Sequence, residues 1–349
     1  MRLTAAVAAA SAVAMIATAC TSEPPQGDDA GRTAAADPQA SSSSSAPPPV
    51  KLREVGGPYL LGRWPLTGRP ARGKAPRRPV IVVKIDNTSS SAPQVGLGAA
   101  DMVVQEIVEG GQTRLAAFYY QRIPQVAGPV RSLRATDVPL VKPIDRGVVV
   151  ASGGAPPTVR RFSRAGVKIR TESARGFFRQ SGRTAPYNLM VRVPEVQRTT
   201  QRRRAVPRAY LPWGNGSIDG PRARRITATF SAARSSIWTY AKGRYEPVTS
   251  YQPSRGRFRP RTVLVLRVPL GDAGYRDPAG NAVPETPLVG RGQAVVFHGG
   301  RLRKATWVKP NPGSALKLED RRGRAVTVPA GRTWIELVPS SGSLSWSRR

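Results

Sequence analysis

The chain has 349 residues, enough for one large or two modest domains with real cores. Its formal charge is +34, from 55 Lys plus Arg against 21 Asp plus Glu, and the basic residues are spread along the chain. Such a surface attracts polyanions generally, but no zinc-ligand spacing, helix-turn-helix pattern or RNP-like aromatic motif accompanies it, so no specific nucleic acid is implied. The one histidine, His298, sits beside a predicted hairpin turn, which argues against a Ser-His-Asp triad or a His-based metal site, and the one cysteine, Cys20, excludes an internal disulfide.

The N-terminus "MRLTAAVAAASAVAMIATAC" carries Arg2, then an uncharged small and apolar run ending at Ala17, Thr18, Ala19 and Cys20. It is too short and too rich in alanine for a membrane span, and suits residues 1–20 as a lipoprotein signal peptide. Cys20 is then the lipidation site, carrying diacylglycerol and palmitate, although Leu is usual where Ala17 stands. An ordinary signal cut that leaves Cys20 unmodified is the alternative. Residues 21–75, including "SSSSSAPPP" and the basic "GRWPLTGRPARGKA", read as a disordered tether. A lipid chain next to a basic segment gives a two-signal attachment to the cell membrane, on its extracytoplasmic face.

Residues 76–212 read as an α/β domain. "RPVIVVKIDN" is a buried strand, and "DMVVQEIV" and "RLAAFYYQR" are further strands. "SLRATDVPLVKPID" is expected to be a short helix capped by Ser132 and limited by Pro139 and Pro143. "RGVVVASGG" is a strand, "APPTVRRFSRAG" a helix and "VPEVQRTTQRRRA" another. Residues 217–343 read as a mostly antiparallel β domain, with "HGGR" and "DRRGR" as hairpin turns.

Carboxylates are scarce. Asp86 and Asn87 end the first strand, Asp101, Glu106 and Glu109 follow, and Asp137 lies beyond the arginines. These oxygens suit pairing with the neighbouring arginines, so no cofactor is expected; a Mg²⁺ or Ca²⁺ ion is the alternative, since neither needs His or Cys. Arg114, Arg131 and Arg134 carry the stronger signal. If a helix begins at Ser132, Arg131 and Arg134 share its first turn, and a phosphate or carboxylate would meet guanidinium groups and backbone N–H groups together. The expectation is that the three arginines converge on one anion pocket beside Asp86.

"RPVIVVKIDN", "APQVGLGAADMVVQEIVEGGQTRLAAFYY", "GPVRSLR", "SGGAPP", "APYNLMV", "AVVFHGGRLRKATWVK" and "VPAGRTWIELVP" resemble the YerB-like bacterial lipoproteins. The resemblance covers roughly residues 76–340 and implies a lipid-anchored extracytoplasmic protein with an N-terminal domain and a β-rich C-terminal domain. The pattern falls on Asp86, Asn87, Pro93, Gln94, Gly96, Asp101, Glu109, Gly110, Gly111, Thr113 and Arg114. It continues on Gly128, Pro129, Arg131, Ser132, Arg134, Gly153, Gly154 and Asn188. This chain departs from it at Gln105, where an acidic residue is expected, and at Ala151, where relatives place histidine; binding without turnover follows if those positions carry chemistry.

The functional expectation is an anchored envelope protein that binds an anionic polymer or precursor. The ligand-binding residues it names are Asp86, Asn87, Gln94, Asp101, Glu109, Thr113, Arg114, Arg131, Ser132, Arg134 and Asn188. The alternatives are a divalent-cation-dependent transferase or hydrolase of phosphate-linked envelope glycans, loosely reminiscent of the LytR-CpsA-Psr transferases, and a scaffolding lipoprotein.

Overall fold

The computed structural model describes residues 56–144, 147–200 and 206–349. The signal peptide, Cys20 and residues 21–55 of the expected tether lie outside them.

Three apolar runs of the N-terminal segment form strands β1 (Ile81–Asp86), β2 (Met102–Ile107) and β3 (Thr113–Tyr119), every residue of which is buried. Burial on both faces explains why these strands read as continuous apolar runs rather than as alternation. β3 pairs antiparallel with both β1 and β2. The β2–β3 connection is tight: Val108 N–H donates to the Gln112 carbonyl at 2.7 Å, and Gly110 and Gly111 turn the chain at φ 65° and 68°. Glycine suits both positions because a side chain disfavours positive φ.

Among the described residues the central sheet has ten strands. Its order is Lys317–Glu319, Arg301–Lys309, Gly290–His298, Thr262–Val268, Thr333–Pro339, β2, β3, β1, Val148–Val150 and Lys168–Arg170. The two segments meet inside it, because β2 pairs parallel with Thr333–Pro339 from Met102↔Thr333 to Gln105↔Glu336. One face packs Val82, Val104, Phe118, Leu264 and Ile335 against the helices Asp137–Val141 and Pro156–Arg164, and the other packs Val83, Val103, Val263 and Trp334. A four-stranded antiparallel sheet (Arg225–Ser231, Arg234–Ala241, Arg244–Pro247, Ser343–Ser347) covers that second face with Ile226, Phe230 and Trp238.

The protein is mostly β. Strand–helix–strand alternation occurs at Val148–Val150, the helix Pro156–Arg164 and Lys168–Arg170, whereas β1 to β3 form an antiparallel unit, so the α/β description holds for only part of the N-terminal segment. The helices are short: α1 (Asp137–Val141), α2 (Pro156–Arg164) and α3 (Val193–Arg198). The helix expected from Ser132 begins five residues later. Arg131 N–H donates to the Lys84 carbonyl at 3.0 Å and Leu133 N–H to the Gly153 carbonyl at 2.9 Å, which ties this stretch to strands before it can coil.

Residues 56–75, expected in the tether, are packed against the fold. Leu66 is buried, Gly68 N–H closes a turn on the Trp64 carbonyl at 2.7 Å, and Trp213 Nε1 donates to the Pro65 carbonyl at 2.8 Å. Trp64 and Leu66 supply apolar burial that a Pro/Gly-rich composition conceals.

Candidate anion-binding site

Register builds the site. Asp86 on β1 stands opposite Arg114 on β3, which stands opposite Glu106 on β2. Directly paired residues point to one face of a sheet, so three charges form a row across three strands. Lys84, two residues before Asp86, shares that face.

Lys84 is fully buried and bonds two carboxylates, Glu106 and Asp137, the latter at 2.5 Å. Burial, then the neighbouring Asp137 charge, raises the Glu106 pKa, and Lys84 opposes the shift. Asp137 also accepts from the Arg134 backbone N–H at 2.8 Å and so fixes the loop before α1.

The arginines lie at the rim of this buried triad. Arg134 pairs with Glu109 at 2.5 Å and donates to the Leu133 carbonyl at 2.7 Å. Burial would lower its pKa, but the Glu109 bond and charge outweigh burial and raise it. Arg114 and Arg131 share a single carboxylate. Asp86 Oδ1 is taken by Thr88, from its N–H at 2.8 Å and its hydroxyl at 2.5 Å. Asp86 Oδ2 lies 3.8 Å from Arg114 Nη2 and 3.1 Å from Arg131 Nε, and accepts a hydrogen bond from neither. Arg114 is 5% exposed, yet its guanidinium donates no hydrogen bond among the described residues. Burial first, then the Arg134 charge, lowers its pKa to about 10. Arg131 is the accessible member, with its side chain 23% exposed and its guanidinium 5.1 Å from the centre of the Tyr187 ring.

The structure thus brings Asp86, Glu109, Arg114, Arg131 and Arg134 together. Ser132 joins them at the edge, its hydroxyl 3.3 Å from that of Ser152. Asn87, Gln94 and Thr113 turn inward instead. Asn87 Nδ2 donates to Thr113 Oγ1 at 2.8 Å, Gln94 Nε2 donates to Asn87 Oδ1 at 3.0 Å, and Gln105 Nε2 also donates to Thr113 Oγ1 at 3.0 Å. Gln105 in turn accepts from Ser236 at 3.2 Å, so this network stitches the two segments together. Asp101 precedes β2, at the strand's other end from Glu106, and caps the backbone N–H groups of Tyr120 and Gln121, both at 2.7 Å. Burial, opposed by those two donors, raises its pKa to about 6. Asn188 accepts from Arg179 at 2.8 Å, while its neighbour Tyr187 covers Arg131. Arg131 and Arg134 do not share a helical turn, because residues 131–134 are not helical.

Sequence reasoning did not single out Lys84. The signal was a lysine inside an otherwise apolar strand, where a buried ammonium requires carboxylate partners. Among the described residues no group of three or more His, Cys, Asp or Glu side chains is placed to hold a metal ion, and no helix is long and apolar enough to cross a membrane.

Two family models match the chain: the N-terminal domain of "Protein of unknown function (DUF3048)" over residues 66–206 and the C-terminal domain over residues 226–335. The Bacillus subtilis protein named "Putative lipoprotein YerB" is 21% identical over 296 residues, which is 81% of this chain and 88% of that protein. The crystal structure of Bacillus subtilis YerB superposes with a TM-score of 0.67 at 20% identity, covering 82% of this chain and 100% of that one. The fold and the two successive domain matches agree, and the chain belongs to the DUF3048 family, with YerB among its relatives.

Proposed function

We propose that this protein is a lipid-anchored extracytoplasmic envelope protein that binds a phosphate- or carboxylate-bearing ligand at Arg114 and Arg131. The anchoring rests on the Cys20 signal and on the name of its Bacillus relative.

The observation that carries the binding reading is Arg114. A buried polar group without partners costs free energy, and a buried guanidinium costs more than a neutral one. Arg114 holds five N–H donors in a fixed fork; its Nε is buried without an acceptor, and no described residue accepts a hydrogen bond from the others. With Arg131 it sets two guanidinium groups against one carboxylate oxygen, Asp86 Oδ2. An anion bridging the two would complete both forks, and charge-assisted bidentate bonds are the strong kind. Counting Lys84, Arg114, Arg131 and Arg134 against Asp86, Glu106, Glu109 and Asp137, the cluster is balanced when every group is ionised. The raised Glu106 pKa tips that balance toward positive charge.

Titrating the protein with inorganic phosphate, and repeating the titration with Arg114→Ala, tests the reading. Saturable binding that the substitution weakens supports it, and equal binding by both proteins refutes it.

A further inference from the structure

A pocket of about 400 Å³ is lined by Val141, Lys142, Pro143 and Arg208. A second pocket, of about 320 Å³, begins where the anion site ends. Glu109 and Arg134 belong to both. Its walls come from both family segments: Ser132 and Ala155 on one side, Tyr275 and Asp277 on the other. Tyr275 lies on a two-stranded ribbon, Gly271–Arg276 with Ala282–Glu285, and Asp277 in the connection between its strands. That ribbon is clamped in place. Tyr275 Oη lies 2.8 Å from Thr158 Oγ1, Arg161 Nη1 2.5 Å from Glu285 Oε2, and Thr286 N–H donates to Thr136 Oγ1 at 2.9 Å. Ala135, Ala273 and Val283 pack beneath it.

The chemistry of the lining is mixed. Glu109 gives one oxygen to Arg134, and its Oε1 is buried without a donor; Arg134 Nε is buried without an acceptor. Arg134 and Arg276 are balanced by Glu109 and Asp277, so this pocket carries no net formal charge. An occupant must offer donors and acceptors together without a charge of its own, and hydroxyl groups do this. The volume is at the small end of ligand pockets, about 300–1,000 Å³, which suits one ring-sized unit.

We infer that the ligand is a phosphorylated saccharide, with its anionic group on Arg114 and Arg131 and its polyhydroxylated ring between Glu109 and the Gly271–Glu285 ribbon. The inference rests on the anion-binding reading.

Calorimetry on the full chain with three probes tests it: inorganic phosphate, glucose 1-phosphate and glucose. Glucose 1-phosphate should bind at least about tenfold more tightly than phosphate, the effect of one or two added hydrogen bonds. Ala155→Phe, which fills the pocket away from Arg114, should erase that ratio and leave phosphate affinity unchanged. Equal affinity of the wild-type protein for phosphate and glucose 1-phosphate overturns the inference while the anion reading stands. No binding of either phosphate overturns both. The wild-type ratio decides even if Ala155→Phe fails to fold.

Discussion

Asp86 and Arg114 are register partners across β1 and β3, yet their nearest charged atoms stand 3.8 Å apart and share no hydrogen bond. Sheet pairing brings their backbones together, whereas Asp86 gives its other oxygen, Oδ1, to Thr88. The fold therefore holds Arg114 in place without using its donors. A guanidinium kept for structure would show the opposite pattern, as Arg134 does with Glu109.

Arg114→Met should leave the unliganded protein as stable as wild type, or more stable. Methionine fills much of the same volume, removes buried donors that have no acceptor, and leaves Arg131 beside Asp86. Removing one partner of a buried ion pair is costly when it strands the other, but Asp86 keeps Arg131 at 3.1 Å and both Thr88 donors, so no charge is left without a partner. Thermal melting without added anions measures this. A marked fall in melting temperature would make Arg114 a structural residue.

Lys84→Ala should be strongly destabilising. It strands Glu106 and Asp137 inside the protein, and breaking a buried ion pair from one side costs about 3–5 kcal/mol. Urea unfolding measures the loss. A change below about 1 kcal/mol would show that water reaches the triad.

Glu336 gives stability a dependence on pH. It is fully buried, accepts from Trp238 Nε1 at 2.8 Å, and burial raises its pKa from 4.5 to about 7. The folded state therefore binds more protons than the unfolded state between those values, and stability falls as pH rises through that window. Glu336→Gln keeps an oxygen for Trp238 and does not titrate. Its stability relative to wild type should increase on the order of 3 kcal/mol between pH 4.5 and pH 8. A difference that does not change with pH would place a compensating cation beside Glu336.

Much of the fold was legible because it is local. β1, α2 and the Gly290–His298/Arg301–Lys309 hairpin with its Gly299–Gly300 turn follow from apolar runs and punctuation. The pairing of Met102–Gln105 with Thr333–Glu336 was not legible, since no local pattern specifies partners so distant in sequence. The same limit explains the misplaced helix start at Ser132: its propensity was sound, but hydrogen bonds to Lys84 and Gly153 from elsewhere in the chain override it. Within the site, Arg114, Arg131 and Arg134 were singled out on the premise of a helix from Ser132, whereas strand register and the non-helical stretch 131–134 are what bring them together. Asn87, Gln94 and Thr113 follow the same family pattern, but their hydrogen bonds go to one another and to Gln105.

The most direct test is the affinity of inorganic phosphate for the wild-type protein, Arg114→Ala and Arg131→Ala, measured by calorimetry at low ionic strength. Each substitution removes one charged donor group from the bound anion. Each should weaken binding by about 1.5–3 kcal/mol, roughly ten- to a hundredfold. Phosphate binding that is unchanged in both variants would contradict the assignment of Arg114 and Arg131 as the anion site.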